Sequence, residues 1–169
     1  MDTTHLHLAL THFPIVGTIV GIGVLIYGYI SKNNAVKNIA LTIFVLMALL
    51  TIPVFLTGEG AEETVEHLPG VSENIIERHQ ELAEIAIWLM GALGVLSLLG
   101  LYMNIKKIAF SRVLTTVALI VSLGTFGLFA KVGNLGGQIR HTEIRANSTN
   151  TQTETGNETE NQQGEDDDD

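Results

Sequence analysis

The chain has 169 residues, of which 46% are apolar, and its mean hydropathy is +0.33. It contains no cysteine, which excludes disulfides, thiolate metal ligands and covalently attached c-type haem. Its formal net charge of −9 comes mainly from one end, because residues 146–169 hold eight acids and no Lys or Arg, whereas the rest of the chain is nearly balanced.

The apolar residues are concentrated in four segments that each run about 18 residues without a charge. A hydrocarbon core roughly 30 Å thick needs about 20 apolar residues of helix. The segments are apolar on all sides rather than along one stripe, which is typical of membrane helices and not of a soluble bundle. The sequence therefore predicts an all-α fold, an antiparallel four-helix transmembrane bundle. The predicted spans cover about residues 12–31, 36–57, 82–104 and 112–133.

The first span is expected to begin at Thr11 or His12, either of which can cap a helix, with Pro14 in the first turn. Gly17 and Gly21, four residues apart, are expected to let a neighbouring helix approach closely. Gly124 and Gly127 are expected to do the same in the fourth span.

Pro53 is expected to bend the second span near its outer end. Gly58 and Gly60 are then expected to break it, opening an outer loop over residues 58–81. Within that loop, residues 61–68 read as a short amphipathic helix. Ser72 can cap a further helix that starts in water and runs into the third span.

The charges predict the orientation. Lys32 and Lys37 lie between the first two spans, and Lys106, Lys107 and Arg112 lie between the last two, whereas the middle connection is rich in Glu. Basic residues favour cytoplasmic loops. We therefore expect a multi-pass protein of the cell membrane, with both termini and the middle loop extracytoplasmic. All six histidines then fall on the outer surface: His5, His7, His12, His67, His79 and His141.

A cofactor site is predicted from these histidines, with His79 as its main ligand. Small residues follow His79 along its helix face and would leave room for a flat group between helices. His12 and His141 are the candidate partners, because they lie at the ends of two other spans. Three glutamates are expected to support the site or join it as metal ligands: Glu62, Glu63 and Glu81. His5 and His7 are set aside as belonging to a loose terminus, and His67 as part of a solvated acidic loop.

Two chemistries suit this set. A b-type haem needs two histidines on opposite helices and an apolar slot, and a transition metal (Fe, Cu or Zn) is bound by inward-facing imidazoles and carboxylates. Electron exchange with a quinol or an external carrier is the leading interpretation. A membrane metalloenzyme and an accessory or structural subunit without a cofactor are the alternatives, so enzymatic activity stays open and is not the favoured outcome.

Four short stretches stand out: Thr11–Ile15, Thr57–Glu63, Arg78–Glu81 and Gly136–Glu143. Together they resemble the bacterial multi-pass membrane family called domain of unknown function 2231, over about residues 5–145. The family pattern matches here at His12, Thr57-Gly58, His79, Gly136-Gly137 and His141. The His-Pro that often opens the family's first segment is only partly matched, by His5 or His7.

The resemblance implies a four-helix membrane domain and no established activity. Some relatives are joined to electron-transfer modules, which by analogy favours haem. The chain is thus divided into a membrane domain, residues 1–145, and an acidic tail, residues 146–169, whose composition predicts disorder. The lipid bilayer is an expected partner and nucleic acid is not, while a homo-oligomer is an option that the sequence leaves open.

Overall fold

A computed structural model describes residues 3–66 and 71–140. They form four α-helices and no strand: α1 (Thr3–Ile30), α2 (Asn34–Val65), α3 (Glu73–Ile105) and α4 (Ser111–Arg140). The predicted all-α four-helix bundle is confirmed. The acidic tail, for which disorder was predicted, lies outside the described residues.

Each of the four helices is long and apolar enough to cross a membrane. Large apolar side chains point outward along them; Ile30 and Trp88 are both 75% exposed and Leu56 is 71% exposed. Such exposure is unfavourable in water, but lipid tails are as apolar as these side chains. The chain is therefore a multi-pass membrane protein in contact with the bilayer.

The helix at the N-terminus is longer than predicted. It begins at Thr3, so the expected start at Thr11 or His12 is wrong and Pro14 lies inside α1. Proline is tolerated within membrane helices because neighbouring groups satisfy the freed backbone. The carbonyl that loses its N–H donor is that of Leu10, four residues before Pro14. The Pro14 carbonyl itself accepts the hydroxyl of Thr18 at 2.6 Å.

The expected break in the second helix is also wrong. α2 runs without interruption through Pro53, Gly58 and Gly60 to Val65, so residues 61–65 are its last turn and no separate helix forms there. Gly58 and Gly60 face α1, where an added Cβ would contact His7 and Thr3. These glycines provide close helix packing instead of ending the helix. α3 begins after Ser72 as predicted, although the Ser72 side chain makes no capping hydrogen bond.

Both hairpin turns close in the same way. Lys32 and Lys107 adopt the left-handed conformation, with φ of 51° and 56°. In each turn the next residue donates its N–H to a carbonyl five residues back, Asn33 to Gly28 at 3.1 Å and Ile108 to Met103 at 3.0 Å. This is the Schellman pattern of helix termination. The two turns lie at the same end of the bundle, named here the turn end; the opposite end is named the histidine end.

The helices pack in chain order around a central core. α1 packs on α2, α2 on α3 and α3 on α4, while α4 returns to α1 over a smaller interface. Across the diagonals, α2 and α4 approach each other, but no Cα atoms of α1 and α3 come within 8 Å.

Glycines decide where two of these helices meet. Gly17 and Gly21 lie against Met47 and Phe44 of α2, as predicted, because a Cβ at either position would overlap those side chains. The matching expectation for Gly124 and Gly127 is wrong, since an added Cβ would find nothing within 4 Å at either position.

The two hairpins repeat one structural pattern. Six buried residues of α1 each have a buried counterpart in α3 at a constant spacing of 72 residues: 14 and 86, 18 and 90, 21 and 93, 22 and 94, 25 and 97, 28 and 100. In α2 and α4 buried residues recur at a spacing of 78: 40 and 118, 44 and 122, 51 and 129. The α1–α2 and α3–α4 hairpins therefore bury equivalent faces.

Candidate functional site at the histidine end

His7 and His79 occupy equivalent positions in this repeat, 72 residues apart. Each lies one heptad before a buried residue of its helix, Pro14 in α1 and Ala86 in α3. Residues seven apart share a helix face, so both imidazoles lie on the stripe that turns towards the other helices. Both are partly buried and stand beyond the uncharged apolar segments, towards the aqueous end of the bundle.

His7 is bound to the second helix. Its ring Nδ1 donates to the carbonyl oxygen of Val54 at 2.9 Å and lies 3.3 Å from the hydroxyl of Thr57. Gly58 follows one turn after Val54, and a Cβ there would lie 3.5 Å from Cε1 of His7. That distance is an ordinary van der Waals contact, so Gly58 lies beside the ring without being required there.

His79 is bound to the fourth helix in the same way. Its Nδ1 donates to the carbonyl oxygen of Val132 at 3.1 Å. Gly136 follows one turn later, and a Cβ there would lie 3.2 Å from Cε1 of His79. Val54 and Val132, like Gly58 and Gly136, are 78 residues apart, the spacing of the repeat. The histidine, the accepting carbonyl and the glycine are thus present once in each hairpin.

These hydrogen bonds fix the tautomer of both rings. A carbonyl oxygen only accepts, so Nδ1 carries the proton in His7 and in His79. In the neutral imidazole Nε2 then holds a lone pair. Histidines that bind metals almost always donate their other ring N–H to a carbonyl, carboxylate or water, which orients the ring and raises the basicity of the ligating nitrogen.

The surroundings keep both rings neutral. Burial lowers the pKa of His7 and of His79, against the smaller opposing effect of the hydrogen bond to a carbonyl. A positive charge on His7 would lower the pKa of His79 further, as the smallest of the three effects. The neutral form is the one that binds a metal ion, so two ligating nitrogens are available at neutral pH.

We expect the protein to lose stability as the pH falls below about 6.5, the ordinary pKa of histidine. The folded pKa of each histidine lies below its ordinary value of 6.5, so the unfolded chain takes up protons first. The stability that the two neutral histidines contribute is fully present above pH 6.5. It is lost as the pH falls through their folded pKa. Unfolding midpoints measured in detergent across this range test the prediction.

The control for this prediction is His79→Gln, which removes one of the titrating rings. It should flatten the pH dependence. Glu62 has the opposite effect on stability at lower pH. Burial and then the charges of Glu66, Glu59 and Glu63 raise its pKa above the ordinary value of 4.5, so this group favours the folded state as the pH falls. An unchanged pH profile in His79→Gln would contradict the assignment.

The predicted partners of His79 are placed differently. His12 is exposed, beside exposed Phe13 and Val16, and its Nδ1 donates to the Leu8 carbonyl of its own helix at 2.9 Å. It lies off the buried stripe that carries His7. His141 lies outside the described residues.

The expectation that His7 belongs to a loose terminus is wrong. α1 begins at Thr3, and a hydrogen bond joins His7 to α2. A signal for this was present in the sequence: His7 begins a heptad series that continues with Pro14, Gly21 and Gly28, three residues suited to close helix contact.

The three predicted glutamates lie in the parts of α2 and α3 near the histidine end. Glu62 accepts a hydrogen bond from Nε2 of Gln80, which links α2 to α3, while Glu63 and Glu81 are exposed. Across residues 3–66 and 71–140, no three or more His, Asp or Glu side chains are grouped as a metal site. The room expected beside His79 is also reduced, since Ala86 and Met90 belong to the packed core.

Comparisons with known proteins identified no relative of this chain. A scan against models of protein families found no match, so the resemblance drawn from the sequence stays a prediction. Searches of curated proteins and of solved structures likewise found no similar protein.

Proposed function

We propose that His7 and His79 bind a b-type haem between α1 and α3, and that the protein exchanges single electrons at the histidine end. The observation that carries this proposal is the repeated arrangement of the two rings. Each commits Nδ1–H to a backbone carbonyl and keeps Nε2 for a ligand. Two imidazoles from different helices are a frequent haem-binding set in helical bundles.

The described residues fit haem better than zinc. Zinc sites need about four ligands, or three and an open position, and the described residues contain no such group. A b-type haem needs two axial ligands together with an apolar slot for its ring. The two histidines come from α1 and α3, the diagonal helices whose Cα atoms stay more than 8 Å apart.

A bound b-type haem supplies one-electron redox chemistry. The protein's own residues would hold and tune it. The carbonyls of Val54 and Val132 orient the imidazoles and increase the basicity of Nε2. A side chain at Gly136 would crowd the His79 ring, and burial favours the uncharged form of both rings.

The location favours exchange at one surface only. The turn end has no histidine, and the four apolar segments contain no charged residue. A second site that could relay electrons across the bilayer is therefore not provided by this chain. The histidine end carries the glutamates of residues 59–84, which favour a basic external carrier over an acidic one. The alternative to an external carrier is a quinol dissolved in the bilayer, which could donate electrons to the haem.

The absorption spectrum tests the proposal. Full-length protein purified from cells supplied with a haem precursor should show a Soret band, a sharp α-band on reduction and about one haem per chain. Zinc or copper in elemental analysis without haem would assign the pair to a metal site instead. A colourless protein that neither takes up added haem nor contains iron, copper or zinc would overturn the proposal.

We further propose that the histidine end faces the outside of the cell, because the uncompensated basic turns lie at the opposite end. Labelling of single cysteines introduced at Ser31 and at Ser72 tests this in intact cells. A membrane-impermeant thiol reagent should label the cysteine at position 72 and leave the one at position 31 unlabelled until the membrane is opened.

A further inference from the structure

A cavity of about 640 Å³ lies at the turn end, far from the histidines. All four helices contribute to its lining, among others Tyr29 of α1, Lys37 of α2, Asn104 of α3 and Arg112 of α4. Lys107 of the second turn completes its basic lining. A smaller cavity of about 450 Å³ shares Tyr29, Lys37 and Arg112 with it. The two hairpins therefore leave an open pocket where their turns meet.

The charge in this space is positive and uncompensated. Lys37, Lys107 and Arg112 line the main cavity, and no acid lines it. The sequence explains this, because no acidic residue occurs between Asp2 and Glu59 or between Glu84 and Glu143. Clustered basic side chains at the end of a membrane bundle, without acidic partners, attract anions.

The helix ends strengthen this field. Asn34 is the first residue of α2 and Ser111 the first of α4, and both line the cavity. The positive ends of two helix dipoles thus point to the same space, which favours an anion there. At α2 this effect comes from the dipole alone, because the N–H groups of Ala35 and Val36 already donate to Oδ1 of Asn33.

One basic group is held in place. Nζ of Lys37 lies 4.6 Å from the centre of the Tyr29 ring and 3.4 Å from Oδ1 of Asn34. The Tyr29 hydroxyl is itself hydrogen-bonded to Thr116 of α4 at 2.7 Å. A charge positioned in advance loses less side-chain entropy when it binds an anion.

The edge of the cavity is apolar. Ile108 and Val113 line it and are 41% and 47% exposed. We propose that the turn-end cavity binds a phosphate group, and that its apolar edge favours the headgroup of an anionic phospholipid over a soluble phosphate. This inference is independent of the proposed haem site, because no residue is shared by the two.

Calorimetry on full-length protein in mild detergent tests the inference, with short-chain dioctanoyl-phosphatidylglycerol as the probe. We expect saturable binding, and much weaker binding of zwitterionic dioctanoyl-phosphatidylcholine. Each basic side chain near an anionic headgroup contributes about fivefold in affinity. The double variant Lys37→Gln with Arg112→Gln should therefore bind phosphatidylglycerol about 25-fold more weakly.

Lys106→Gln is the matched control. Lys106 carries the same charge at the same end of the bundle but does not line the cavity, so its loss should change the affinity by about twofold or less in physiological salt. If the double variant does not fold, Arg112→Gln alone is informative, because this side chain is exposed. Here we expect about a fivefold loss.

Competition with glycerol 3-phosphate distinguishes a phospholipid headgroup from a soluble phosphate as the ligand. Competition by glycerol 3-phosphate at equal affinity would identify a soluble phosphate as the ligand. Binding of the lipid alone would identify the headgroup together with its chains. Equal binding of the anionic and zwitterionic lipids, or an equal loss in Lys106→Gln, would overturn the inference.

Discussion

Replacing His79 or His7 with alanine is expected to abolish haem binding, whereas His12→Ala leaves it intact. Haem held by two imidazoles loses half of its protein ligands in either variant. Loss of a group that only supports a metal ligand costs about 10- to 100-fold in affinity, so loss of the ligand should exceed about 100-fold. Haem titration followed at the Soret band measures this directly.

His12 is the matched control for that experiment. It is a histidine of the same helix, five residues from His7, but it is exposed and bonded to its own backbone. Far-ultraviolet circular dichroism should show that all three variants keep the helical content of the parent protein. Full haem binding by His7→Ala, or a loss in His12→Ala as large as in His79→Ala, would contradict the assignment of the pair.

Gly94→Ala is expected to destabilise the bundle by about 1–3 kcal/mol, the usual cost of overpacking a core. A Cβ at Gly94 would lie 2.5 Å from the Cβ of Ala48. Neither atom can rotate away, because a Cβ is fixed to its backbone. α2 and α3 must therefore separate, and the core that they enclose loses contacts along this interface.

Gly91→Ala provides the control, one turn earlier in the same helix. A Cβ at Gly91 would meet nothing within 4 Å, so alanine should be neutral or stabilise the helix by up to about 1 kcal/mol through its higher helix propensity. The compensating change Ala48→Gly should recover much of the stability lost in Gly94→Ala. Unfolding midpoints in mixed detergent compare the four proteins, and equal midpoints for Gly94→Ala and Gly91→Ala would refute the proposed contact.

The candidate site shows which part of the problem the sequence could solve. His79 was identified from its position at the start of a helix, and it is hydrogen-bonded between α3 and α4. His12 was preferred to His7 because the first apolar segment begins near it. The structure reverses this preference. Because α1 starts at Thr3, His7 and not His12 faces α2.

The lengths of the apolar segments and the placement of charges determined the four membrane helices and the contrast between a basic and an acidic end. These are local properties, because a segment's transfer into lipid depends on its own residues. Which face of each helix is buried was decided only in the tertiary structure. Helices that are apolar on every side have no polar face to mark the outside, so the choice depends on fit between neighbours, such as Gly21 against Phe44 and Gly94 against Ala48. That fit pairs His7 with Val54 and His79 with Val132, and it brings the two turns together around the basic cavity.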